Sequence, residues 1–276
     1  LGSASVICTD KTGTLTQNRM TLTQVYDGRR IVKLGEAPLS EQVQMLLRLA
    51  GMCNDGRVEM REGKPVHIGD PTETGLVAAC IKYLGLDKTE LDNIFPRLGE
   101  IPFDAGRKLM TTINMINGRP FAVVKGAPEV LLPLCMQHTK HAAEAAEKMA
   151  AGALRVLAVA IKPLEDVPAN PTSDQLERDL NFVGLVGLMD PPRPEAADAI
   201  RLCQSAGIRT VMITGDHIAT ASAIAKQLGI LQPGTRAITG EELRPSTGTW
   251  IRLRSTPGYR RRIKSGLLRP GSIRAM

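Results

Sequence analysis

The stretch SVICTDKTGTLTQNRM, residues 5–20, decides how the rest of the chain is interpreted. It begins with a short, β-branched apolar run that is typical of a buried strand and ends at Asp10, and a turn rich in threonine and glycine follows. A carboxylate at the end of a strand can cap a helix, bind a metal, act as a general base or act as a nucleophile. The N–H groups and hydroxyls of residues 11–14 offer a natural cradle for a phosphate, although a DKTG turn taken alone is more often a capped turn without chemistry.

Two later stretches repeat this pattern of a strand followed by a polar turn. NFVGLVGLMD is an apolar run that ends at Asp190, and IRTVMITGD is another that ends at Asp216. A helical pattern follows each run, at residues 191–207 and 217–229. Alternating strands and helices predict a parallel sheet with helices on both faces, in which reactive groups lie at the carboxyl ends of the strands. We therefore expect the three aspartates at one edge of a parallel sheet.

The region between these two parts, residues 21–180, combines helical periodicity with paired strands. We interpret it as a second α/β domain inserted into the first, which divides the parallel-sheet domain into residues 1–20 and 181–243. Residues 244–276 then form a tail. Within the inserted domain the pattern predicts helices at 40–52, 72–84 and 140–152 and strands at 109–116, 119–125 and 154–162.

Length and charge limit the classes of protein to consider. The 276 residues, of which 43% are hydrophobic, are enough for one or two buried cores. The net charge of +7 is unevenly distributed, because residues 244–276 carry eight arginines, one lysine and no acidic residue. The rest of the chain, with 26 basic and 28 acidic residues, is close to neutral. The charge therefore predicts no nucleic-acid partner for the folded part.

Cysteine, histidine and hydropathy patterns exclude further classes. The five cysteines show no C-x-x-C or zinc-ligand spacing, which predicts buried thiols in a reducing compartment rather than disulfides. The four histidines show no ligand spacing, so we assign them no metal role. No apolar run approaches the roughly 18 to 20 residues of a membrane helix. The first residue is Leu rather than Met, so we expect a piece of a longer chain.

Residues 10–16, DKTGTLT, match without departure the phosphorylation signature of the P-type ATPases. Further family-like segments follow in the family's order: GDPTETGL (69–76), PFDAGRKLM (102–110), KGAPE (125–129), MDPPRPE (189–195) and ITGD (213–216). Over residues 3–243 the chain therefore resembles the cytoplasmic phosphorylation and nucleotide-binding domains of these ATPases, in the branch that contains calcium and sodium/potassium pumps. The resemblance implies a split, doubly wound parallel sheet of the haloacid-dehalogenase type with an inserted α/β nucleotide-binding domain.

The resemblance also implies roles for residues of the first and last motifs. Asp10 looks like the nucleophile that takes the γ-phosphate of ATP, and Lys11 would neutralise the transferring phosphoryl group. The Thr12 carbonyl and the Asp10 carboxylate would hold Mg²⁺. Thr214 and Gly215 would bind phosphate oxygens through a hydroxyl and an N–H.

Four charged residues near these motifs have two interpretations each. By the resemblance, Asp216 and Asp190 would shape the phosphate site and a hinge. Each aspartate also precedes a predicted helix, where it would act as an N-cap. Arg107 and Lys108 fit a nucleotide pocket and a solvated surface equally well.

The inserted domain is expected to bind ATP. Phe103 looks like the ring that stacks on adenine, although a single aromatic ring is more often part of a core. Lys125 and Gly126 would line the same pocket, the lysine with its cation near the base and phosphates, and the glycine by allowing close approach. Glu73 and Arg155 are similar to further pocket residues of the family. Because Arg155 interrupts an apolar strand, its charge needs a partner, and an ATP phosphate would serve.

The family pattern ends after residue 243. The family next has a lysine that contacts the phosphate and a strand ending in a GDGxND turn, whose aspartates complete the Mg²⁺ site. Residues 244–276 contain neither, and the neighbours of Lys264 do not match. Three explanations remain open: a reading-frame shift just after Leu243, a natural basic tail that binds anionic lipid or nucleic acid, or an artefact in the sequence. In each case we expect the chain to bind nucleotide and to turn over poorly or not at all.

Two functional classes follow from these observations. One is the soluble catalytic part of an ATP-driven cation pump, on the cytoplasmic side of a membrane, whose membrane helices lie elsewhere in the parent protein and bind an ion that this sequence does not identify. The other is a phosphatase of the haloacid-dehalogenase type, or a nucleotide-binding module, without transport. Such phosphatases usually place an acidic general acid/base two residues after the nucleophile. Thr12 stands there, which favours a persistent acyl phosphate and therefore the pump.

Overall fold

The computed structural model describes residues 4–137, 139–216, 218–240 and 242. The tail, residues 244–276, lies outside this part of the chain, as do the explanations proposed for it. The described residues form two compact units. Unit 1 consists of residues 4–17 together with the described residues from 192 onward, and unit 2 consists of residues 18–191.

The strands of the described residues are numbered in chain order. They are β1 (Val6–Asp10), β2 (Thr21–Tyr26), β3 (Ile31–Lys33), β4 (Arg57–Arg61), β5 (Lys64–Ile68), β6 (Arg97–Asp104), β7 (Leu109–Ile116), β8 (Arg119–Gly126), β9 (Arg155–Pro163), β10 (Asn181–Met189) and β11 (Arg209–Ile213).

The α-helices are α1 (Glu41–Met52), α2 (Pro71–Leu84), α3 (Lys88–Ile94), α4 (Pro128–Leu131), α5 (Lys140–Ala151), α6 (Ser173–Leu176), α7 (Ala196–Ser205) and α8 (Ile218–Gln227). The helices and strands predicted for residues 40–162 are confirmed within three residues at each end. The predicted strand at the start of the chain and the strand and two helices after residue 190 are also present.

Unit 2 is built on a seven-stranded antiparallel sheet with the strand order β3-β2-β10-β9-β8-β7-β6. Neighbouring residues along a strand point to opposite faces, so Val123 packs with α1, α2 and α3 while Val124 packs with α4 and α5. Both faces are therefore buried, and the central strands have continuous apolar runs. A separate hairpin, β4-β5, contacts α2.

The prediction that residues 181–190 add a strand to the parallel sheet is wrong. Strand β10 lies in the middle of the sheet of unit 2 and pairs antiparallel with β2 and β9. Helices cover both faces of β10, so its sequence is a continuous apolar run, as in a strand of a parallel sheet. The composition of such a run does not show whether the neighbouring strands are parallel or antiparallel. Unit 2 consequently continues to residue 191, beyond the expected boundary at residue 180.

Unit 1 contains the parallel pairing that the sequence predicts at its two ends. Strands β1 and β11 are parallel, with Asp10 opposite Ile213, and α7 contacts β11. The α/β class is therefore confirmed. The larger doubly wound sheet stays a prediction, because the described residues of unit 1 form only these two strands.

All five cysteines are described and carry free thiols. Cys53 and Cys80 are buried as predicted, whereas Cys135 and Cys203 are only partly buried and Cys8 is exposed. Cys8 lies on β1, whose residues alternate in exposure, so the apolar appearance of this strand overestimates its burial. Within the described part of the chain, no helix is both long and apolar enough to cross a bilayer.

Candidate functional site

Residues 10–16 form a tight loop after β1, which we call the Asp10 loop. The Lys11 carbonyl accepts two hydrogen bonds from Thr16, one from its N–H and one from its hydroxyl, each of 3.0 Å. Gly13 has a φ of 75°, a left-handed conformation that glycine adopts without a steric penalty. Leu15 is buried and anchors the loop, whereas Asp10 is exposed. The loop therefore presents the predicted nucleophile to solvent on a closed backbone turn.

An ion pair joins the Asp10 loop to the turn after β11. The Lys11 side chain is 9% exposed, and its Nζ lies 2.6 Å from Asp216 Oδ2. The Asp216 N–H donates a 3.1 Å hydrogen bond to Thr214 Oγ1, which shapes the turn that also contains Gly215. The parallel pairing of β1 and β11 thus brings the predicted residues of this site to neighbouring strand ends. Their chemical roles stay predictions.

Arg193, which the sequence analysis did not single out, holds the same loop. Its guanidinium donates to the Gly13 carbonyl through Nε (3.3 Å) and Nη2 (2.9 Å), and its N–H donates to the Leu15 carbonyl (2.8 Å). The Gln17 amide also donates to the Pro192 carbonyl at 3.3 Å. Gly13 and Arg193 are 180 residues apart, so no local pattern predicts their contact. The family-like MDPPRPE segment, which contains Arg193, was the one signal in the sequence.

Asp190 belongs to unit 2, directly after β10. Its Oδ1 accepts a 3.1 Å hydrogen bond from the Arg19 N–H. Helix α7 begins at Ala196 and is preceded by Glu195 as its N-cap, so the alternative that Asp190 caps this helix is wrong.

In unit 2, Lys125 and Glu73 form a largely buried ion pair. The Lys125 side chain, on β8, is 6% exposed, and its Nζ lies 2.9 Å from Glu73 Oε1. Glu73 lies in the first turn of α2, where its Oε2 accepts a hydrogen bond from the Asp55 N–H (3.2 Å). The carboxylate is thus held between a cation and a backbone donor, which fixes the lysine in place.

Arg155 lies beside this pair, but the expectation that it interrupts an apolar strand is wrong. Strand β9 begins at Arg155, which is exposed, so the residue does not interrupt a buried apolar strand. Its Nη1 donates a 2.7 Å hydrogen bond to Thr72 Oγ1 at the start of α2. The start of α2 therefore brings Glu73, Lys125 and Arg155 together.

Gly126 permits a close approach, as predicted, but the group that approaches it is the backbone of Lys108. A Cβ at this position would lie 2.3 Å from the Lys108 carbonyl oxygen and 2.5 Å from Leu109 Cδ2. The Ala127 N–H donates to the same Lys108 carbonyl (3.1 Å). Gly126 is therefore required for the pairing of β7 and β8, whatever its contribution to a ligand.

Phe103 is 61% exposed on β6, so it is not a core residue. Lys108 forms an exposed ion pair with Glu129, as expected of a surface charge, whereas Arg107 pairs with the buried Glu177.

Sequence reasoning also missed the ion pairs of Arg97, whose Nη1 lies 2.7 Å from Asp55 Oδ1. Arg97 and Asp55 are 42 residues apart in the chain, and Arg107 and Glu177 are 70 residues apart, so no local sequence pattern predicts either ion pair.

The described fold and these sites agree with one class of protein, the P-type ATPases. The family described as "P-type ATPase, cytoplasmic domain N" matches residues 42–195, which is more than half of the chain. The chain therefore belongs to the P-type ATPase family, and the resemblance seen in the motifs is confirmed.

Several cation-transporting ATPases are similar to most of the chain. It is 41% identical over 257 residues to calcium-transporting ATPase 1 of Bacillus cereus, with 88% of this chain and 28% of the relative covered. It is 43% identical over 260 residues to calcium-transporting ATPase 1 of Lactococcus lactis, with 88% and 29% covered. A probable cation-transporting P-type ATPase of Mycoplasma genitalium is 40% identical over 249 residues, with 88% and 26% covered. The chain spans less than a third of the length of each of these relatives.

Proposed function

We propose that this chain is the catalytic part of an ATP-driven cation pump. Unit 2 binds ATP, and Asp10 of unit 1 accepts the γ-phosphate as an aspartyl phosphate. The transported ion binds elsewhere in the full-length protein, which lies in a membrane with this part on the cytoplasmic side. The names of the relatives from Bacillus cereus and Lactococcus lactis make Ca²⁺ the first ion to test.

The observation that carries the proposal is the Asp10 loop with its Lys11–Asp216 ion pair. Phosphoryl transfer obtains most of its rate from positioning and from charge placed around the phosphoryl group. Here an exposed carboxylate is followed by a buried, fixed lysine and by a loop held closed through Thr16 and Arg193. A carboxylate oxygen of Asp10 attacks the γ-phosphorus, the bond to the β-phosphate oxygen breaks, and ADP leaves.

The donor set near Asp10 fits Mg²⁺ brought by ATP rather than a metal held by protein alone. The carboxylates of Asp10 and Asp216 lie at adjacent strand ends, and among the described residues no group of three or more histidine, cysteine or acidic side chains is arranged to hold a metal ion. Mg²⁺ in such sites usually takes one or two carboxylates and completes its shell with phosphates and water. Asp10 and the Thr12 carbonyl would hold it, and it would neutralise charge on the phosphoryl oxygens.

The nucleotide site is proposed around the start of α2 and the exposed ring of Phe103. The ring would stack on adenine, and the cations of Lys125 and Arg155 would face the phosphates. Lys125 is already held by Glu73, so little side-chain entropy is lost when ATP binds.

We propose further that β1 and β11 are central strands of a doubly wound sheet of the haloacid-dehalogenase type. The 276 residues contain no GDGxND turn and no matching lysine, so the chain alone would bind ATP and transfer phosphate slowly.

Titration of the full 276-residue chain with ATP, with and without Mg²⁺, tests the proposal. We expect saturable binding that Phe103→Ala weakens about 2- to 10-fold, the range of aromatic stacking. Lys125→Ala should weaken ATP binding more than Phe103→Ala does, because it removes a cation and also leaves the Glu73 carboxylate unpaired. Lys33→Ala, which removes an exposed lysine paired with Glu36 in the same unit, is the matched control and should not change affinity. A folded chain that binds no ATP would refute the assignment.

A further inference from the structure

A buried carboxylate is linked through Arg107 to strand β6, which carries Phe103. The Glu177 side chain, at the end of α6, is 2% exposed. It accepts hydrogen bonds from the Thr111 hydroxyl (2.6 Å), from the Ser173 hydroxyl and from the Arg107 guanidinium. A buried charge is costly unless it is paired and hydrogen-bonded, and Glu177 meets both conditions.

Arg107 connects this carboxylate to the backbone beside Phe103. Its Nη2 donates a 2.6 Å hydrogen bond to the Pro102 carbonyl, and its N–H donates to Asp104 Oδ1 (2.7 Å). The guanidinium therefore binds both the buried Glu177 carboxylate and the backbone of β6, the strand that carries Phe103.

The Pro102 carbonyl lies in an irregular part of the sheet. Ile101 pairs with Thr111 and Asp104 pairs with Leu109, so residues 102 and 103 face a single residue of β7. This is a β-bulge, a feature that interrupts the ladder and redirects a side chain. The carbonyl of Pro102, within this bulge, accepts the hydrogen bond from Arg107.

From these contacts we infer that Glu177 is a positioning residue for adenine: it fixes Arg107, which fixes the bulge and with it the orientation of the Phe103 ring. The inference rests on the proposed function, because it assumes that Phe103 stacks on the base. A buried ion pair is often no more stabilising than an apolar replacement, so a gain in stability does not by itself account for this one. Its geometry serves instead to hold the strand that carries the exposed Phe103 ring.

Glu177→Gln in the full chain tests the inference, because it keeps the size of the side chain and removes the charge that holds Arg107. Affinities for ATP and for inorganic tripolyphosphate are compared. We expect the affinity for ATP to fall about 2- to 10-fold, which is the contribution of aromatic stacking. The affinity for tripolyphosphate, which has no base, should change less than about 2-fold. A merely structural role would weaken both ligands equally, and that result would overturn the inference.

A double-mutant cycle gives the second readout. Without the ring there is nothing left to position, so Glu177→Gln in a Phe103→Ala chain should not weaken ATP binding further. Additive losses would overturn the inference. Glu36→Gln, which removes an exposed ion pair with Lys33 in the same unit, is the control and should leave both affinities unchanged.

Two further measurements keep the outcome clear. If Glu177→Gln does not fold, Arg107→Lys replaces it, since this partly exposed residue keeps its charge but loses the fork that spans Glu177 and Pro102. The same loss of ATP affinity with tripolyphosphate unchanged is expected. If Phe103→Ala itself leaves ATP binding intact, the proposed nucleotide site fails. If Phe103→Ala weakens binding and Glu177→Gln and Arg107→Lys do not, only the positioning role fails.

Discussion

Lys11 Nζ lies 2.6 Å from Asp216 Oδ2, so the cation next to the proposed nucleophile is held by a carboxylate from the neighbouring strand end. An anion that approaches Asp10 must compete with this carboxylate for the lysine. The pair therefore positions the lysine, and the Asp216 carboxylate offsets the electrostatic field of the lysine until a phosphate arrives.

The first prediction concerns this competition in the absence of Mg²⁺. Asp216→Asn should strengthen the binding of inorganic phosphate to the chain about 2- to 5-fold, because it frees Lys11 and removes a nearby negative charge. Lys11→Met should abolish the binding. Titration followed by phosphorus NMR measures both effects. Asp198→Asn, which removes an exposed ion pair with Arg201 in the same unit, is the control. Weaker phosphate binding by Asp216→Asn would contradict the prediction.

The second prediction concerns Arg193. Arg193→Gln should loosen the Asp10 loop by about 1–2 kcal/mol, since it removes the guanidinium donor to the Gly13 carbonyl. Hydrogen exchange of the Thr16 amide, which donates to Lys11 within the loop, should become about 5- to 30-fold faster. Arg201→Gln on α7 should leave this exchange unchanged. Equal exchange rates in the two variants would show that Arg193 does not hold the loop.

The sequence predicted local elements well and their assembly less well. The strand at residues 109–116 was predicted with its observed bounds because its apolar run ends at a turn, which is local information. Strand β10 was assigned to the wrong sheet because a strand buried on both faces looks the same in parallel and antiparallel surroundings.

The candidate sites show the same limit. Motif matches selected Lys11 and Asp216 as well as Glu73 and Lys125, and the structure joins each pair. Partners such as Arg193 and Glu177 were missed, because hydrogen bonds between distant segments leave no periodic signal in the sequence.

The third prediction concerns Gly126. Gly126→Ala should lower the free energy of unfolding by about 2 kcal/mol or more, because its Cβ would lie 2.3 Å from the backbone oxygen of Lys108, which has little room to move. Urea unfolding measures the change. Gly99→Ala on β6 of the same sheet is the matched control: its Cβ would approach no atom closer than 3.4 Å, and the loss should stay below about 1 kcal/mol. Similar losses for the two variants would mean that the backbone approach at Gly126 is not limiting.

The last prediction is a pH dependence that arises from buried thiols. Burial raises the pKa of Cys80 to about 12, from an ordinary value of 9.0. The unfolded chain therefore loses the proton first, and the free energy of unfolding should fall as pH rises from 9 towards 12.

Cys80→Ala should make that fall shallower by up to about 1.4 kcal/mol per pH unit, because the substituted chain has no thiol to ionise there. Urea unfolding at pH 8, 9, 10 and 11 measures the slope. The substitution also removes the 3.2 Å hydrogen bond that the Cys80 thiol donates to the Leu47 carbonyl, which lowers stability, but a loss that is the same at every pH does not alter the slope. Leu76→Ala, at another buried residue of α2 whose side chain does not ionise, should lower stability and leave the slope as it is. Parallel curves for Cys80→Ala and the unsubstituted chain would show that ionisation of this thiol does not limit stability in alkali.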